Sequence, residues 1–375
     1  MTRRSTFGRR IVILLCAPLL LTGCASLWPG ASRSTGPQTA QPAVPSTPSL
    51  PQVGKPWQPG MRELGINILW EDSSKDDDTL TRAKAQRILD YAVSLHANSV
   101  ALNFPFIVDS LKASVVKADG LTPSPARIRI FAEEASARKI RVTLRPFLDE
   151  RRFVAPAWRG VIEPADRSKW FASYRTFLLP YVQAAQDTGM AQLVIGVELN
   201  SLQADSRWAS LISAVRQIFR GKITYSANFD AFENKAATPA VDGVGVDAYF
   251  KVSSPNNAPI NTLATAWQQW IDQYAGKSAD KLVLHEVGIA AQNGAYLHPG
   301  QWGSANVSIN LTVQANWYAA ICQAVEAKNI AGVYFWNVRM HANPGHEDPQ
   351  QADRMTFVDR PAQTTLRDCY ARLSR

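Results

Sequence analysis

The 375-residue sequence is poor in the residues that hold metals and disulfide frameworks, with four cysteines and five histidines. That shortage excludes a small disulfide scaffold. His341, His346 and Glu347 lie close together, but on no helix pattern that would present them as i, i+4 ligands, so no metal site and no cofactor is expected. The acidic run Glu71–Asp78 lacks the spaced ligands and central glycine of a calcium loop and reads as a solvated loop feeding a helix cap. No block of Lys and Arg interleaved with aromatics occurs, which disfavours nucleic acid as a partner. No Gly-rich phosphate turn follows the first strand-like segment, which disfavours a doubly wound nucleotide-binding sheet. The longest apolar run, Ile11–Leu21, is too short to span a bilayer.

What is present at the start of the chain is an export pattern: arginines up to Arg10, the apolar run, then Leu21-Thr-Gly-Cys24. The last four residues resemble a bacterial lipobox, which implies cleavage after residue 23 and lipidation of Cys24; an ordinary secretory signal is the alternative. Ala25 in place of Asp points to an outer-membrane, cell-envelope location under the usual sorting rule. Four of the arginines behind the formal charge of +9 lie in this segment, which leaves about +5 on the remainder. Residues 24–60 are rich in Pro, Ser, Gly and Thr and read as a disordered tether, with the folded domain spanning 61–375. With Cys16 and Cys24 set aside, Cys322 and Cys369 remain, either as a disulfide between neighbouring outer helices or as two unlinked buried thiols.

From Met61 onward strand-like and helix-like segments alternate. The strand candidates are Glu63–Trp70, Ser99–Phe104, Ile140–Phe147, Gln192–Glu198, Ile223–Phe229, Gly243–Tyr249, Leu282–Val287 and Gly332–Asn337. Most are short apolar runs of the kind that build parallel strands buried on both faces. Helical patterns stand between them, except after the fifth, where Ala231–Val241 shows little periodicity. Eight such pairs predict a (β/α)8 barrel. The long connections Arg151–Arg167, Lys251–Asn261, Gln292–Leu311 and Arg339–Pro361 all follow strands and are expected at one mouth of that barrel.

Two of the apolar strands end in a carboxylate, Glu198 and Glu286. A charge there must be paired, hydrated in a cleft or protonated. Two at one end suggest the pair that glycosidic cleavage needs, one carboxyl to protonate the leaving oxygen and one to attack or stabilise the sugar. The alternative is a pair of salt-bridged strand ends.

Ile195-Gly-Val-Glu198, Tyr225-Ser-Ala-Asn-Phe-Asp230, Val244-Gly-Val-Asp-Ala-Tyr249, His285-Glu-Val-Gly288 and Tyr334-Phe-Trp336 together resemble the clan A retaining glycosidases, and most closely glycoside hydrolase family 113, across about residues 62–340. The resemblance implies Glu198 as acid/base, Glu286 as nucleophile at the retaining separation of about 5–5.5 Å, and a β-linked polysaccharide as substrate, mannan-type or a bacterial exopolysaccharide. It departs from many clan A families at Val197, where an asparagine holds the sugar 2-hydroxyl. Asn103 and Asn228 are candidate replacements, or else satisfy loop backbone. Tyr249 resembles the clan tyrosine that bonds the nucleophile. Arg145, among apolar neighbours, is a candidate partner of either glutamate. Trp336 is the candidate stacking floor, with Trp70, Trp158 and Trp302 as further subsite walls or core residues. The expected form is a monomer. A non-catalytic glycan-binding lipoprotein using the same cleft is the competing reading.

Overall fold

The structure is a computed structural model that describes residues 49–375. The signal, Cys24 and the part of the tether up to residue 48 lie outside the described residues. Eight parallel strands close in sequence order: β1 (Glu63–Leu69), β2 (Ser99–Phe106), β3 (Arg141–Leu148), β4 (Gln192–Val197), β5 (Lys222–Asn228), β6 (Gly243–Asp247), β7 (Val283–Val287) and β8 (Gly332–Arg339). The helices between and after them are α1 (Asp78–Ser94), α2 (Pro125–Ala137), α3 (Arg167–Asp187), α4 (Trp208–Arg216), α5 (Phe229–Glu233), α6 (Ile260–Tyr274), α7 (Leu311–Ala327) and α8 (Pro361–Leu373). This is the expected (β/α)8 barrel.

Local chemistry fixes where the helices begin. Asp77 accepts from the Leu80 N–H at 2.7 Å and caps α1, while Asp72 and Asp76 of the same acidic run pair with Arg127 and Lys84. Ser124 followed by Pro125 starts α2, Asn310 caps α7, and Pro361 occupies the first turn of α8. The weak signal after the fifth strand corresponds to α5, a helix of five residues.

The barrel interior is filled rather than hollow. At its N-terminal end Arg141 contacts Glu63, Tyr334 and Gln192. The His285 ring occupies the space beside Gly245, where a Cβ would stand 2.4 Å from it. Strand pairing is irregular in β4 (Val194/Val197), in β7 (Leu284/Val287) and between β1 and β8 (Ile66/Ile68). Bulges of this kind re-aim side chains at a barrel rim.

One boundary moves. The folded domain does not start at Met61, because the preceding segment packs under the barrel. Val53 is buried and its N–H donates to the Arg138 carbonyl at 3.1 Å. The Trp57 ring receives the Arg141 guanidinium at 4.9 Å. On the outside, Cys322 of α7 and Cys369 of α8 form a disulfide, with Cα atoms 6.0 Å apart.

Candidate active site

A cleft of about 540 Å³ opens at the C-terminal mouth of the barrel, and both glutamates line it. Glu198 stands one residue beyond β4 with φ of +54°, in the left-handed region that costs a non-glycine residue energy. The turn is held because the Glu198 N–H donates to the Ser226 carbonyl at 2.8 Å and the Leu199 N–H to the Tyr225 hydroxyl at 3.1 Å. The strain turns the carboxyl into the cleft. Glu286 lies on β7 and lines the same cleft.

The two carboxyls have different surroundings. Glu286 accepts from the Tyr249 hydroxyl at 2.7 Å on one oxygen and is salt-bridged to Arg145 on the other. Among the described residues Glu198 has only Arg159, 3.6 Å away, which is beyond hydrogen-bond length. Burial pushes the Glu198 carboxyl well above the usual carboxylate range; the charges of Asp247 and Glu286 add to the rise, and Arg159 and Arg145 oppose it. Glu198 is thereby suited to hold a proton. Burial likewise keeps the Tyr249 phenol protonated as a donor.

Beneath them lies a carboxylate that the sequence reading did not single out. Asp247, at the end of β6, is fully buried and takes Arg145 through both oxygens at 2.9 and 2.8 Å. Burial pushes its carboxyl up to about 7, against the opposing charge of Arg145 and with the charge of Glu286 adding. Ser226 donates its one hydroxyl proton to Asp247 at 2.8 Å. His285 Nδ1, 3.1 Å from the Ser226 hydroxyl oxygen, is therefore the donor in that contact. Burial and the nearby Arg145, Lys222 and Arg141 hold the imidazole well below its ordinary pKa, hence neutral.

The expected residues divide. Trp336 lines the cleft, as do Trp158 and Trp302. Trp302 meets Trp336 edge-on at 5.9 Å and is half exposed. Asn228 lines the cleft too; its oxygen accepts from the Phe229 N–H, and among the described residues its amide nitrogen has no partner. Two expectations need correction. Trp70 is a core residue, 2% exposed and packed on Phe131 of α2, because strand alternation turns it outward next to cleft-lining Leu69. Asn103 is fully buried; its amide donates to Asn67, Ile68 and Ala101 and its oxygen accepts from Arg145 at 2.6 Å, so it props the arginine and does not reach a 2-hydroxyl. Arg145, a candidate partner of either glutamate, pairs with Glu286: its two terminal nitrogens go to Asn103, Glu286, Asp247 and Ser226, so it clamps the carboxylates.

Of the four long connections, those after β3, β7 and β8 line the cleft, through Arg159, Trp302 and Met355 among others, while residues 251–261 after β6 do not. A larger cavity of about 970 Å³ lies at the opposite end, between Trp57, Lys222 and His285; Glu63, Asp242 and Asp280 line it, and none of the cleft carboxyls does. Barrel enzymes work at the C-terminal mouth, so the chemistry belongs to the smaller cleft. Among the described residues no group of His, Cys, Asp and Glu could hold a metal ion.

Paired carboxyls in an aromatic-walled cleft at that mouth place the protein among the barrel-fold glycoside hydrolases. The sequence narrows the class: the profile of Glycoside Hydrolase Family 113 matches residues 70–358, and the chain belongs to that family. A family 113 β-1,4-mannanase superposes with a TM-score of 0.69 at 19% identity, covering 83% of this chain and 99% of that one. The family 113 β-mannanase of Alicyclobacillus acidocaldarius superposes with 0.66 at 20% identity, over 84% and 98%. A β-D-glucuronidase of Dictyoglomus thermophilum shares the fold more loosely, with 0.54 at 12% identity over 83% of this chain and 50% of that one. No curated sequence matches.

Proposed function

We propose that this glycoside hydrolase cleaves β-mannan by double displacement. The observation that carries the reading is the unlike environment of two carboxyls in one cleft. Glu286, held by Arg145 and Tyr249, suits attack as an anion, and Glu198, with no hydrogen-bonding cation among the described residues, suits giving a proton. In the first step Glu286 attacks the anomeric carbon while Glu198 protonates the departing glycosidic oxygen, leaving a glycosyl ester on Glu286. In the second, Glu198 takes a proton from water, the water attacks the same carbon, and the Glu286 carboxylate is released. Trp336 supplies a flat surface for the C–H face of the sugar, and the Asn228 amide is available to the hydroxyl that Val197 cannot reach.

Mannan is the substrate class because the solved family 113 relatives are named β-mannanases. The lipobox-like segment adds a setting, the bacterial cell envelope, with the enzyme anchored through Cys24. The test is turnover of purified protein on a panel of β-mannan, β-glucan, β-xylan and bacterial exopolysaccharides, with chain-length analysis of products. Shortening of mannan, lost in Glu286→Gln with mannan affinity retained, is expected. Binding of mannan without hydrolysis by the parent protein overturns the proposal and leaves a glycan-binding lipoprotein.

A further inference from the structure

We propose that Arg159 and Glu150, both in the connection after β3, form a charge couple that positions a cation against Glu198 and so sets when that carboxyl carries its proton. The inference rests on the reading of Glu198 as acid/base.

Glu150 Oε1 accepts from the Arg159 backbone N–H at 3.0 Å and from its Nε at 2.8 Å. One edge of the guanidinium is thereby tied back, and the carbon at its centre lies 5.2 Å over the Phe147 ring. Nη1 faces Glu198 and stands 3.6 Å from its Oε2. The arginine side chain is 18% exposed and that of Glu198 14%, so the charges act on each other in a poorly hydrated space. Glu150, 35% exposed, faces the solvent side of the pair. The other groups facing Glu198 are Arg145 from β3, Asp247 and Tyr249 from β6, Glu286 from β7 and Tyr225 from β5.

The intermediate distance has a chemical use. Glu198 has to be an acid in one step and a base in the next. A cation in full contact would strip its proton before the first step, and a cation absent would leave it protonated through the second. Arg159 lowers the cost of the anion, and Glu150 limits how closely it does so. The couple lies in an irregular loop and not on the barrel, so it can vary without disturbing the strand-borne carboxyls.

The pH dependence of kcat/KM reads this directly, since its basic limb reports loss of the proton from the acid/base. Arg159→Gln is expected to move the basic limb upward by about one pH unit, the lower end of what an arginine at this range does to a carboxyl. It should also slow turnover of substrates with good leaving groups, for which the base step is limiting. Glu150→Gln, which frees the arginine and removes a negative charge, should move the limb downward by a similar amount. Arg159→Lys keeps the charge and should hold the limb within about 0.3 pH units of the parent. Limbs that stay in place, or that move in the same direction in the Gln variants, overturn the proposal even if rates fall, because a merely structural prop would lower kcat without that opposition. If Arg159→Gln does not fold, the downward shift in Glu150→Gln still decides. Glu198→Ala assayed with azide runs alongside. Rescue there confirms the acid/base: limbs that stay in place with rescue intact overturn the couple alone, whereas absence of rescue sinks the parent reading and the couple with it.

Discussion

The Tyr249 hydroxyl donates to Oε2 of Glu286 across 2.7 Å, while Oε1 of the same carboxylate meets Arg145. Each oxygen thus has one donor, which fixes the plane of the carboxylate and leaves its outer lone pairs for the sugar. Tyr249→Phe removes one donor and keeps the ring. A hydrogen bond to a charged group is worth about 1.5–3 kcal/mol, so kcat/KM on mannan should fall by about ten- to a hundredfold. Unchanged steady-state kinetics would show that the tyrosine is only packing.

Asp247 is the second partner of Arg145, and its like charge is among the causes that raise Glu198. Asp247→Asn withdraws that charge, so Glu198 should lose its proton at lower pH and the basic limb of kcat/KM should move down. The arginine is left with one carboxylate in a buried site, and a broken buried pair costs about 3–5 kcal/mol. A lowered melting temperature together with the downward limb is expected. A limb that moves up contradicts the electrostatic assignment.

The disulfide ties α7 to α8 across 47 residues of sequence, far from the cleft residues. The Cys322→Ala, Cys369→Ala double variant should lose about 2–4 kcal/mol of stability in denaturant unfolding. Its turnover below the transition should match the parent.

The eight strands were legible because most are short apolar runs bounded by polar residues, and the barrel follows from their number and order. Glu198 and Glu286 stood out because a charge on such a run is anomalous. Asp247 sits inside Val244–Tyr249 and carries the same anomaly, masked by the tyrosine that ends the segment. Trp70 could have been excluded by alternation, since Leu69 and Trp70 cannot both face the axis. Arg159 was not legible: it lies in an irregular loop, and only tertiary structure brings it to Glu198. Asn103 lies on β2, but its depth below the rim depends on strand stagger, which period does not encode. Val53 and Trp57 were hidden for a related reason, being coil residues without period that pack only on the finished barrel floor.

The proposed anchoring rests on Leu21-Thr-Gly-Cys24, which lies outside the described residues. Cys24→Ser should shift the protein out of the membrane fraction or leave its signal uncleaved, as read by fractionation and intact mass. Lipid chains contribute about 0.8 kcal/mol per buried methylene, so their loss is a large change in partition. Membrane retention with normal cleavage would count against the anchor.

The central claim is that Glu286 forms a glycosyl ester which Glu198 then opens with water. The anomeric configuration of the first product reports this without any variant. Proton NMR of β-mannan oligosaccharides taken in the first minutes of cleavage, before mutarotation, should show the new reducing end as the β-anomer. First appearance of the α-anomer would mean direct displacement by water, and would contradict the assignment of Glu286 as nucleophile.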